Sequence, residues 1–512
     1  MAKRVIELSK RGGPAALASV VGLILAALAA VLWTGGLQGL GPGDWAAIRF
    51  TALQAVFSAG LSVALAVPVA RALARRQFFG RQLLVTLLGA PFILPVIVAV
   101  FGLLAIFGRA GLVSQLLGGF GFEPISIYGF HGVVLAHVFF NLPLATRLLL
   151  QGWHDVPAEQ FRLTAQLGCG GLQMFWLIEW PMLRRLVPGA FALIFAICLT
   201  SFAVALTLGG GPKATTIELA IYQAFRFDFD LGRAAFLSVL QLMLAGFAAV
   251  LALWLIPASI AEGGLGRAVR RWDNSAFDAF WIVLAAAFLL LPLGAVFAAG
   301  VPGLVQVPSS VWWAAVTSLW VALLSVAVML ALALPLAGWL AGQKDGRLEA
   351  LGLLGLAASP LMIGTGWFVL INPLADPRNL ALPVTALVNA LTALPFALRI
   401  LVPGIKAALA DHGRLAASLG LSPWRFWVWA VWPRLRMPLG FAAGLGAAVS
   451  VGDLGVIALF ADPERATLPL QMYRLMGAYR VDAAAGAALI LLVLAFGLFW
   501  AFDRLGHWYA RA

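Results

Sequence analysis

Residues 162–168 read Arg-Leu-Thr-Ala-Gln-Leu-Gly, and residues 414–420 read Arg-Leu-Ala-Ala-Ser-Leu-Gly. The two stretches lie 252 positions apart (162 to 414), about half of the 512 residues. In both copies a Trp-Pro pair places proline 13 positions after the glycine, at Pro181 and at Pro433. A repeat at this distance predicts a chain built of two similar halves.

Each copy predicts a short amphipathic helix that ends in a turn. In the second copy the apolar residues of 414–419 have helical spacing, and Gly420 is a typical helix stop. Ser422-Pro423 then has the pattern of an N-cap followed by proline at the first helical position. Trp and Arg dominate the next residues, as is typical of a helix at a membrane surface. The pattern favours a docking segment, in which the glycine lets a partner's backbone approach closely.

The composition is that of a membrane protein. Hydrophobic residues make up 62% of the sequence and charged residues 11%, and the mean hydropathy is +0.98. These values exclude a soluble globular domain. The formal net charge of +13 therefore indicates basic loops that face anionic lipid, and we expect no nucleic-acid partner. The two cysteines, Cys169 and Cys198, match neither a disulfide framework nor a metal site.

Twelve apolar runs are long enough to span a membrane, six before a short polar linker and six after it. They are residues 14–33, 51–70, 83–107, 128–150, 186–208, 234–258, 276–300, 313–341, 348–371, 380–402, 438–461 and 483–502. The first run is too long for the core of a signal peptide, so we interpret it as a retained helix. The prediction is an all-α integral membrane protein of two homologous six-helix halves.

The basic residues orient these spans. With the N-terminus in the cytoplasm, the basic clusters at 71–81, 184–185 and 267–271 and both repeated loops lie on the cytoplasmic side. This bias is what the positive-inside rule requires. We therefore predict that both termini are cytoplasmic.

A few polar residues fall within the spans, where they are costly and need a partner or a function. Asp453 lies in the eleventh span, and Ser201 is at the equivalent place in the first half. Asp453 is either a carboxylate that bonds a neighbouring helix or meets shallow water, or a group that lines a transport path. His137 and Asn389, equivalent in the fourth and tenth spans, favour hydrogen bonds between helices.

Motifs for chemistry are missing from the sequence. It contains no Gly-x-x-x-x-Gly-Lys-Ser/Thr pattern, so we do not expect the chain to hydrolyse ATP. In the glycine-rich stretch 208–213 a proline separates glycine from lysine, and the topology places this stretch outside. No His-Glu-x-x-His or paired-cysteine pattern occurs, so we expect neither an enzyme nor a metal site. Any chemistry must then come from a partner.

The two loops resemble the cytoplasmic loops of ABC importer permeases, which carry a Glu-Ala-Ala-type triplet, glycine four positions later and proline thirteen after that. Both copies depart from this pattern, because Arg162 and Arg414 stand where the family usually has glutamate, and Thr164 replaces the third residue in the first copy. The resemblance implies the type I ABC importer permease fold and a coupling helix in each loop. The coupling residues that it implies are Arg162, Leu163, Ala165, Leu167, Gly168, Pro181, Arg414, Leu415, Ala416, Ala417, Leu419, Gly420 and Pro433.

Three further stretches narrow the resemblance to fused permeases that import thiamine and its phosphates in Gram-negative bacteria. They are residues 135–147, 208–223 and 452–460, the last followed by Thr-Leu-Pro-Leu-Gln-Met-Tyr. No residue reports a thiazolium or pyrimidine ring, so a fused permease for ferric iron or another small solute remains an alternative. A secondary active transporter is the other class, but it would normally need several charges within the membrane.

The resemblance also implies a division of labour in the bacterial inner membrane. A periplasmic binding protein delivers the substrate to the external loops, and two separate ATPase subunits, which bind ATP and Mg, dock near residues 159–172 and 411–424. The chain itself then holds no cofactor and contacts membrane lipid. The implied parts are an N-terminal tail with the first helix (1–46), a first permease domain (47–258), a basic linker with the seventh helix (259–311) and a second permease domain (312–505).

Overall fold

The computed structural model describes residues 9–35, 39–89, 91, 93–209, 211, 214–255, 276–343, 359–460 and 465–511, and all regular secondary structure in these ranges is helical. The first half contains α1 (Ser9–Gly35), α2 (Pro42–Arg75), α3 (Arg81–Leu87), α4 (Val96–Phe107), α5 (Leu112–Gly119), α6 (Phe130–Asp155), α7 (Ala158–Gln166), α8 (Gly171–Met174), a π-helix (Phe175–Glu179), α9 (Trp180–Leu199), α10 (Ala203–Leu208), α11 (Ile217–Arg226) and α12 (Leu231–Leu255). The second half contains α13 (Ala276–Gly303), a 3₁₀ turn (Leu304–Gln306), α14 (Ser309–Ala341), α15 (Pro360–Ile371), a 3₁₀ turn (Pro377–Leu380), α16 (Ala381–Ser418), α17 (Pro423–Phe426), a π-helix (Trp427–Val431), α18 (Trp432–Gly452), α19 (Gly455–Phe460), α20 (Leu468–Gly477) and α21 (Val481–Arg511).

Eleven helical segments among the described residues are long and apolar enough to cross a membrane. The shorter apolar helix α15 is the described part of the ninth predicted span, and residues 348–358 of that span lie outside the described residues. The structure therefore agrees with a multi-pass, all-α protein of about twelve membrane helices. Residues 259–275 of the predicted linker also lie outside the described residues, and the domain boundaries remain a prediction.

The third predicted span (83–107) is not one continuous helix. Its first part is α3, which ends at Leu87, and its second part is α4, which begins at Val96. Pro91 and Pro95 lie between the two helices. Proline has no backbone N–H to donate and its ring crowds the preceding turn, so these two closely spaced residues favour the break.

The sequence repeat is also a structural repeat. The two π-helices, at 175–179 and 427–431, are 252 positions apart, and so are α10 and α19. One difference lies before the repeated loops, where α6 ends and α7 follows, whereas α16 continues through Ser418. Pro157 directly precedes α7 and explains this break, because the equivalent residue in α16 is Leu409.

The first helix of each half packs against the other half. Helix α1 contacts α14 and α15, and α13 contacts α2 and α4. Two glycines at equivalent positions permit these crossings: a Cβ atom at Gly366 would overlap the backbone oxygen of Ala27, and one at Gly102 would overlap that of Pro292. Since only 28% of the residues in the apolar windows of α1 and α13 are buried, these two helices form the outer layer of the bundle.

Candidate functional site

Both copies of the repeated stretch form a helix followed by the same turn. Gly168 follows α7 with φ of +71°, and Gly420 follows α16 with φ of +63°. Just after each glycine, the next amide donates to a carbonyl five residues back, Cys169 to Thr164 at 3.1 Å and Leu421 to Ala416 at 3.0 Å. This is the Schellman pattern, whose left-handed position favours glycine.

The space around the two glycines is open. A Cβ atom at Gly168 or Gly420 would meet no other atom of the described residues within 4 Å. Within this chain, the glycines are therefore required by backbone conformation and not by crowding. Close approach of a partner at these positions remains a prediction.

Each loop presents two large apolar side chains on one exposed face. Leu163 and Leu167 are 58% and 70% exposed, and Leu415 and Leu419 are 58% and 65% exposed. A spacing of four residues places the members of each pair side by side on the helix. Of the other predicted coupling residues, Arg162, Ala165, Arg414 and Pro433 are exposed, Ala417 and Pro181 are partly buried, and Ala416, like Thr164 of the first copy, is buried. Exposed apolar pairs of this kind are found at surfaces that contact another protein or lipid, and docking of a partner here remains a prediction.

Different ion pairs hold the two loops. Glu179, the last residue of the first π-helix, is 1% exposed and accepts a hydrogen bond from Arg71 of α2 at 2.6 Å. The Arg71 guanidinium also lies over the ring of Phe175, 5.6 Å from its centroid. In the second loop Arg434 donates to Asp411 at 2.7 Å, but both side chains lie at the surface. The first loop is therefore tied to the helix bundle by a buried ion pair, whereas the Arg434–Asp411 pair of the second loop lies at the surface.

The helix that follows each loop is interrupted at its far end. Residues 200–202 separate α9 from α10, and residues 453–454 separate α18 from α19. In the first half two buried glutamines bond the carbonyl groups freed at the end of α9: Gln54 donates to Cys198 at 2.9 Å, and Gln241 donates to Leu199 at 2.7 Å. Interrupted helices at the interface of two repeats are the usual setting of a transporter's substrate site.

Asp453 lies in the second interruption. Its Oδ1 accepts the N–H of Gly455, the first residue of α19, at 3.1 Å, so the carboxylate caps this helix. Its Oδ2 has no hydrogen-bond partner among the described residues. Nearby, Asn389 donates to Ser450 at 3.2 Å, which is the hydrogen bond between helices predicted for Asn389. That Asp453 lines a transport path remains a prediction.

The two interruptions face each other across the interface of the halves. A Cβ atom at Gly455 would lie 3.5 Å from the ring of Phe202 and 3.6 Å from Oδ1 of Asp453. A Cβ atom at Gly452 would lie 3.2 Å from Cα of Pro95, the residue before α4. Ser201, next to Phe202, and Asp453 therefore belong to adjoining segments.

A cavity of about 270 Å³ lies beside the interruptions. It is lined by Pro91, Ile93, Leu94, Pro95, Val96, His137, Phe140, Asn141, Ile197, Ser201 and Val204 of the first half and by Ala448, Val449 and Gly452 of the second. Ser201 thus lines the cavity, whereas Asp453 adjoins it through its neighbour Gly452. The volume is close to the lower end of the range of small-molecule sites, about 300–1,000 Å³.

Two polar residues of α6, His137 and Asn141, line this cavity and were not predicted to do so. Nδ1 of His137 lies 3.3 Å from the hydroxyl of Ser58, which is the bond between helices predicted for His137. Nε2 of the same ring is buried and has no partner in the described ranges. The sequence held a signal, because polar residues four positions apart in an apolar span share one face of the helix. The free ring nitrogen can bond a small solute.

Known proteins match nearly the whole length of the chain. No protein-family model matches. The chain is 40% identical to the thiamine transport system permease protein ThiP of Brucella abortus over 507 residues, which cover 95% of this chain and 93% of that protein. For the proteins of the same name from Salmonella typhimurium and Escherichia coli, the identities are 41% over 485 residues and 40% over 522 residues. They cover 91% and 96% of this chain and 90% and 96% of those proteins. At this identity over both halves, the chain belongs to the family of thiamine transport system permease proteins.

Proposed function

We propose that this chain is the membrane-spanning subunit of an ABC importer that brings thiamine and its phosphate esters into the cytoplasm. The observation that carries the proposal is the identity of about 40% to permeases named for thiamine transport, along nearly the whole chain. The paired loops support the ABC class, because such a permease must offer one docking site to each of two ATPase subunits.

Each end of the molecule binds a different partner in this proposal. Two copies of a cytoplasmic ATPase bind the exposed leucine pairs at 163/167 and 415/419, and ATP and Mg stay with the ATPase. This chain then needs no cofactor of its own and catalyses no reaction. A periplasmic binding protein meets the opposite end. The basic clusters near the loops support an inner-membrane orientation with both termini in the cytoplasm.

One helix in each half connects a docking loop to an interruption. Helix α9 runs from the first loop to residues 200–202, and α18 runs from the second loop to residues 453–454. With 20 residues, α9 is about 30 Å long at 1.5 Å per residue, close to the thickness of the hydrocarbon core. When the ATPase dimer closes, it displaces the loops, and α9 and α18 carry that movement to the interruptions. The halves then rock between inward and outward access.

The cavity beside the interruptions is the proposed substrate passage. Its apolar lining suits the two rings of thiamine, and His137, Asn141 and Ser201 offer hydrogen bonds. Thiamine also carries a fixed positive charge, and the Asp453 carboxylate adjoins the cavity. In a medium of low dielectric constant, a carboxylate there lowers the barrier for a cation.

Transport in a defined membrane tests the proposal. The permease, the ATPase and a thiamine-loaded binding protein from the same organism are combined in proteoliposomes, and uptake of labelled thiamine is measured with and without ATP. We expect uptake that needs all three proteins and ATP. Uptake of ferric iron in place of thiamine would overturn the substrate. Uptake driven by a proton or sodium gradient without the ATPase would overturn the transporter class.

A further inference from the structure

Two aromatic residues in equivalent turns adopt a backbone conformation that favours glycine. Phe229, between α11 and α12, has φ of +52°, and Tyr479, between α20 and α21, has φ of +58°. Within the described part of the chain they are the two non-glycine residues with positive φ. They lie 250 positions apart (229 to 479), and each precedes the first residue of the following helix, α12 or α21, by two positions.

This conformation is unfavourable for both residues. The left-handed region brings Cβ too close to the following carbonyl oxygen, and bulky residues are rare there. At the second turn the amide of Arg480 donates to Leu475 at 3.0 Å, and that of Tyr479 donates to Met476 at 3.1 Å. This is again the Schellman pattern, with Tyr479 in the position where glycine is usual. An aromatic side chain kept in a strained turn points to a function for the ring.

Neither ring packs into the protein. Phe229 is 78% exposed and Tyr479 is 90% exposed. Exposed charged residues flank both, with Asp228 and Asp230 in the first turn and Arg480 in the second. Because charged groups avoid the hydrocarbon core, the turns emerge beyond it. Exposed aromatic rings beyond the hydrocarbon core are found in the aromatic belts of membrane proteins and as anchor residues in protein interfaces, and the charged neighbours here favour the second setting.

Both turns lie at the end of the molecule opposite the docking loops. One membrane-crossing segment, Gly171–Leu199, separates the first docking loop from the turn at Phe229. The equivalent segment, Pro423–Phe460, separates the second docking loop from the turn at Tyr479. A symmetry-related pair of anchors on this face suits a partner that has two similar lobes.

A row of aromatic rings connects the first turn to the interruption in α9–α10. The ring of Phe227, two residues before Phe229, lies 5.8 Å from that of Tyr222, and Tyr222 lies 5.3 Å from Phe202. Phe202 is the last residue of the interruption and faces Gly455 of the second half. Packed side chains therefore connect this turn to the interruption whose Ser201 lines the cavity.

We propose that the turns at Phe229 and Tyr479 are the two docking points of the periplasmic substrate-binding protein, with one lobe on each half. Each ring enters an apolar pocket on one lobe. This inference rests on the proposed function, because an importer of this class receives its substrate from such a protein on this face.

The test measures how tightly the binding protein docks. The permease–ATPase complex in nanodiscs is titrated with thiamine-loaded binding protein, and the concentration that gives half-maximal stimulation of ATP hydrolysis is recorded. Glycine removes the ring and fits the left-handed turn, so Phe229→Gly and Tyr479→Gly should fold. We expect each variant to raise that concentration about tenfold and the double variant about a hundredfold. Tyr479→Phe keeps the ring and should titrate like the wild type.

A matched control is Phe79→Ala. Phe79 is fully exposed, but it lies between α2 and α3, at the end of the molecule that carries the docking loops, so its replacement should change nothing. An unchanged titration in the double glycine variant overturns the docking proposal, and a lower melting temperature with an unchanged titration does the same. A wild-type complex that the binding protein does not stimulate contradicts the importer itself, which is a distinct result.

Discussion

Gly420 and Asp453 show two different constraints on a single residue. Gly420 has open space around it and a backbone angle that favours glycine, so the position accepts volume but not a change of φ. Asp453 uses one oxygen to cap α19 and leaves the other without a partner among the described residues. A neutral side chain of the same shape can preserve the cap and remove the charge. Substitutions can therefore separate conformation from charge at these two places.

In the two loops that dock the ATPase, we expect the double variant Gly168→Ala/Gly420→Ala to reduce the thiamine transported per ATP several-fold. Alanine in the left-handed region costs about 1–2 kcal/mol, so the turns loosen and the helices before them shift. Larger residues at both positions fit within this chain, but they should uncouple hydrolysis from uptake completely because they would block the predicted close approach of the ATPase. The measurement is the ratio of uptake to ATP hydrolysis in proteoliposomes.

The control for this prediction is Gly171→Ala. Gly171 lies in the same loop, in open space and without a positive φ, so the ratio should not change. A wild-type ratio in the double variant would show that the two loops do not couple the ATPase to transport.

At the second interruption we expect Asp453→Asn to lower thiamine uptake roughly tenfold, equivalent to ~1.4 kcal/mol in the barrier. Asparagine keeps an Oδ1 that can accept the Gly455 amide, so the fold and the ATPase docking should persist. The measurement is uptake normalised to purified, folded transporter. If this normalised rate is unchanged and the melting temperature falls, Asp453 serves only as a cap.

At the scale of elements, apolar run length predicted the membrane helices, and the repeat predicted which elements correspond. The glycine–proline spacing predicted that the two repeated stretches correspond, and both form a helix followed by a left-handed turn at glycine. Their docking role stays a prediction. The interruptions could not be predicted from the sequence, because Gln54 and Gln241 give no local sign that they bond the carbonyl groups at the end of a distant helix. Such bonds depend on tertiary contacts, which periodicity does not encode.

The buried ion pair beside the first π-helix provides a prediction at this scale. We expect Glu179→Gln to lower the melting temperature of the permease and to weaken the stimulation of the ATPase by the permease. Breaking a buried pair costs about 3–5 kcal/mol because it leaves one charge without its counterion, although the partial exposure of Arg71 reduces the effect. The measurements are thermal unfolding in detergent and ATPase activity against permease concentration.

The second loop supplies the comparison. Asp411→Asn removes an ion pair from the surface, where water screens the charges, and should leave both measurements close to wild type. Equal effects of Glu179→Gln and Asp411→Asn would show that the buried pair does not fix the first loop.

At the scale of the whole molecule, α1 and α13 each pack against the other half, so each half depends on the other for part of its packing. The sequence did not predict this arrangement, because both helices are apolar on all faces and give no sign of their partners. The glycines at 102 and 366 are equivalent positions of close contact, but a glycine in a membrane helix does not reveal which neighbour it meets.

This packing of α1 and α13 predicts how a divided chain behaves. Residues 1–265 and 266–512, produced together as separate chains, should restore part of the transport, because each contains six predicted spans. Gly366→Val should reduce this restored transport far more than it reduces transport by the single chain, since the tether gives the halves a high effective concentration. Uptake and co-purification of the two pieces are the measurements.

Gly22→Val is the control for the divided chain. Gly22 is also in a membrane helix, α1, but a Cβ atom there would meet nothing within 4 Å. Equal effects of the two valine variants would contradict the role of Gly366 at the crossing. Complete loss of transport with both wild-type pieces well expressed would show that the linker has a structural role.

The crossing of α1 with α15 also sets an order of events during synthesis. Gly366 leaves the ribosome 339 residues after Ala27, its contact in α1 (27 to 366). At about 5–20 residues per second, this delay is roughly 15–70 seconds. During that time α1 gains α12 and then α14 as neighbours but still lacks α15, whereas α13 meets α2 and α4 as soon as it is inserted. Two contacts that are equivalent in the finished protein therefore form at different times during synthesis.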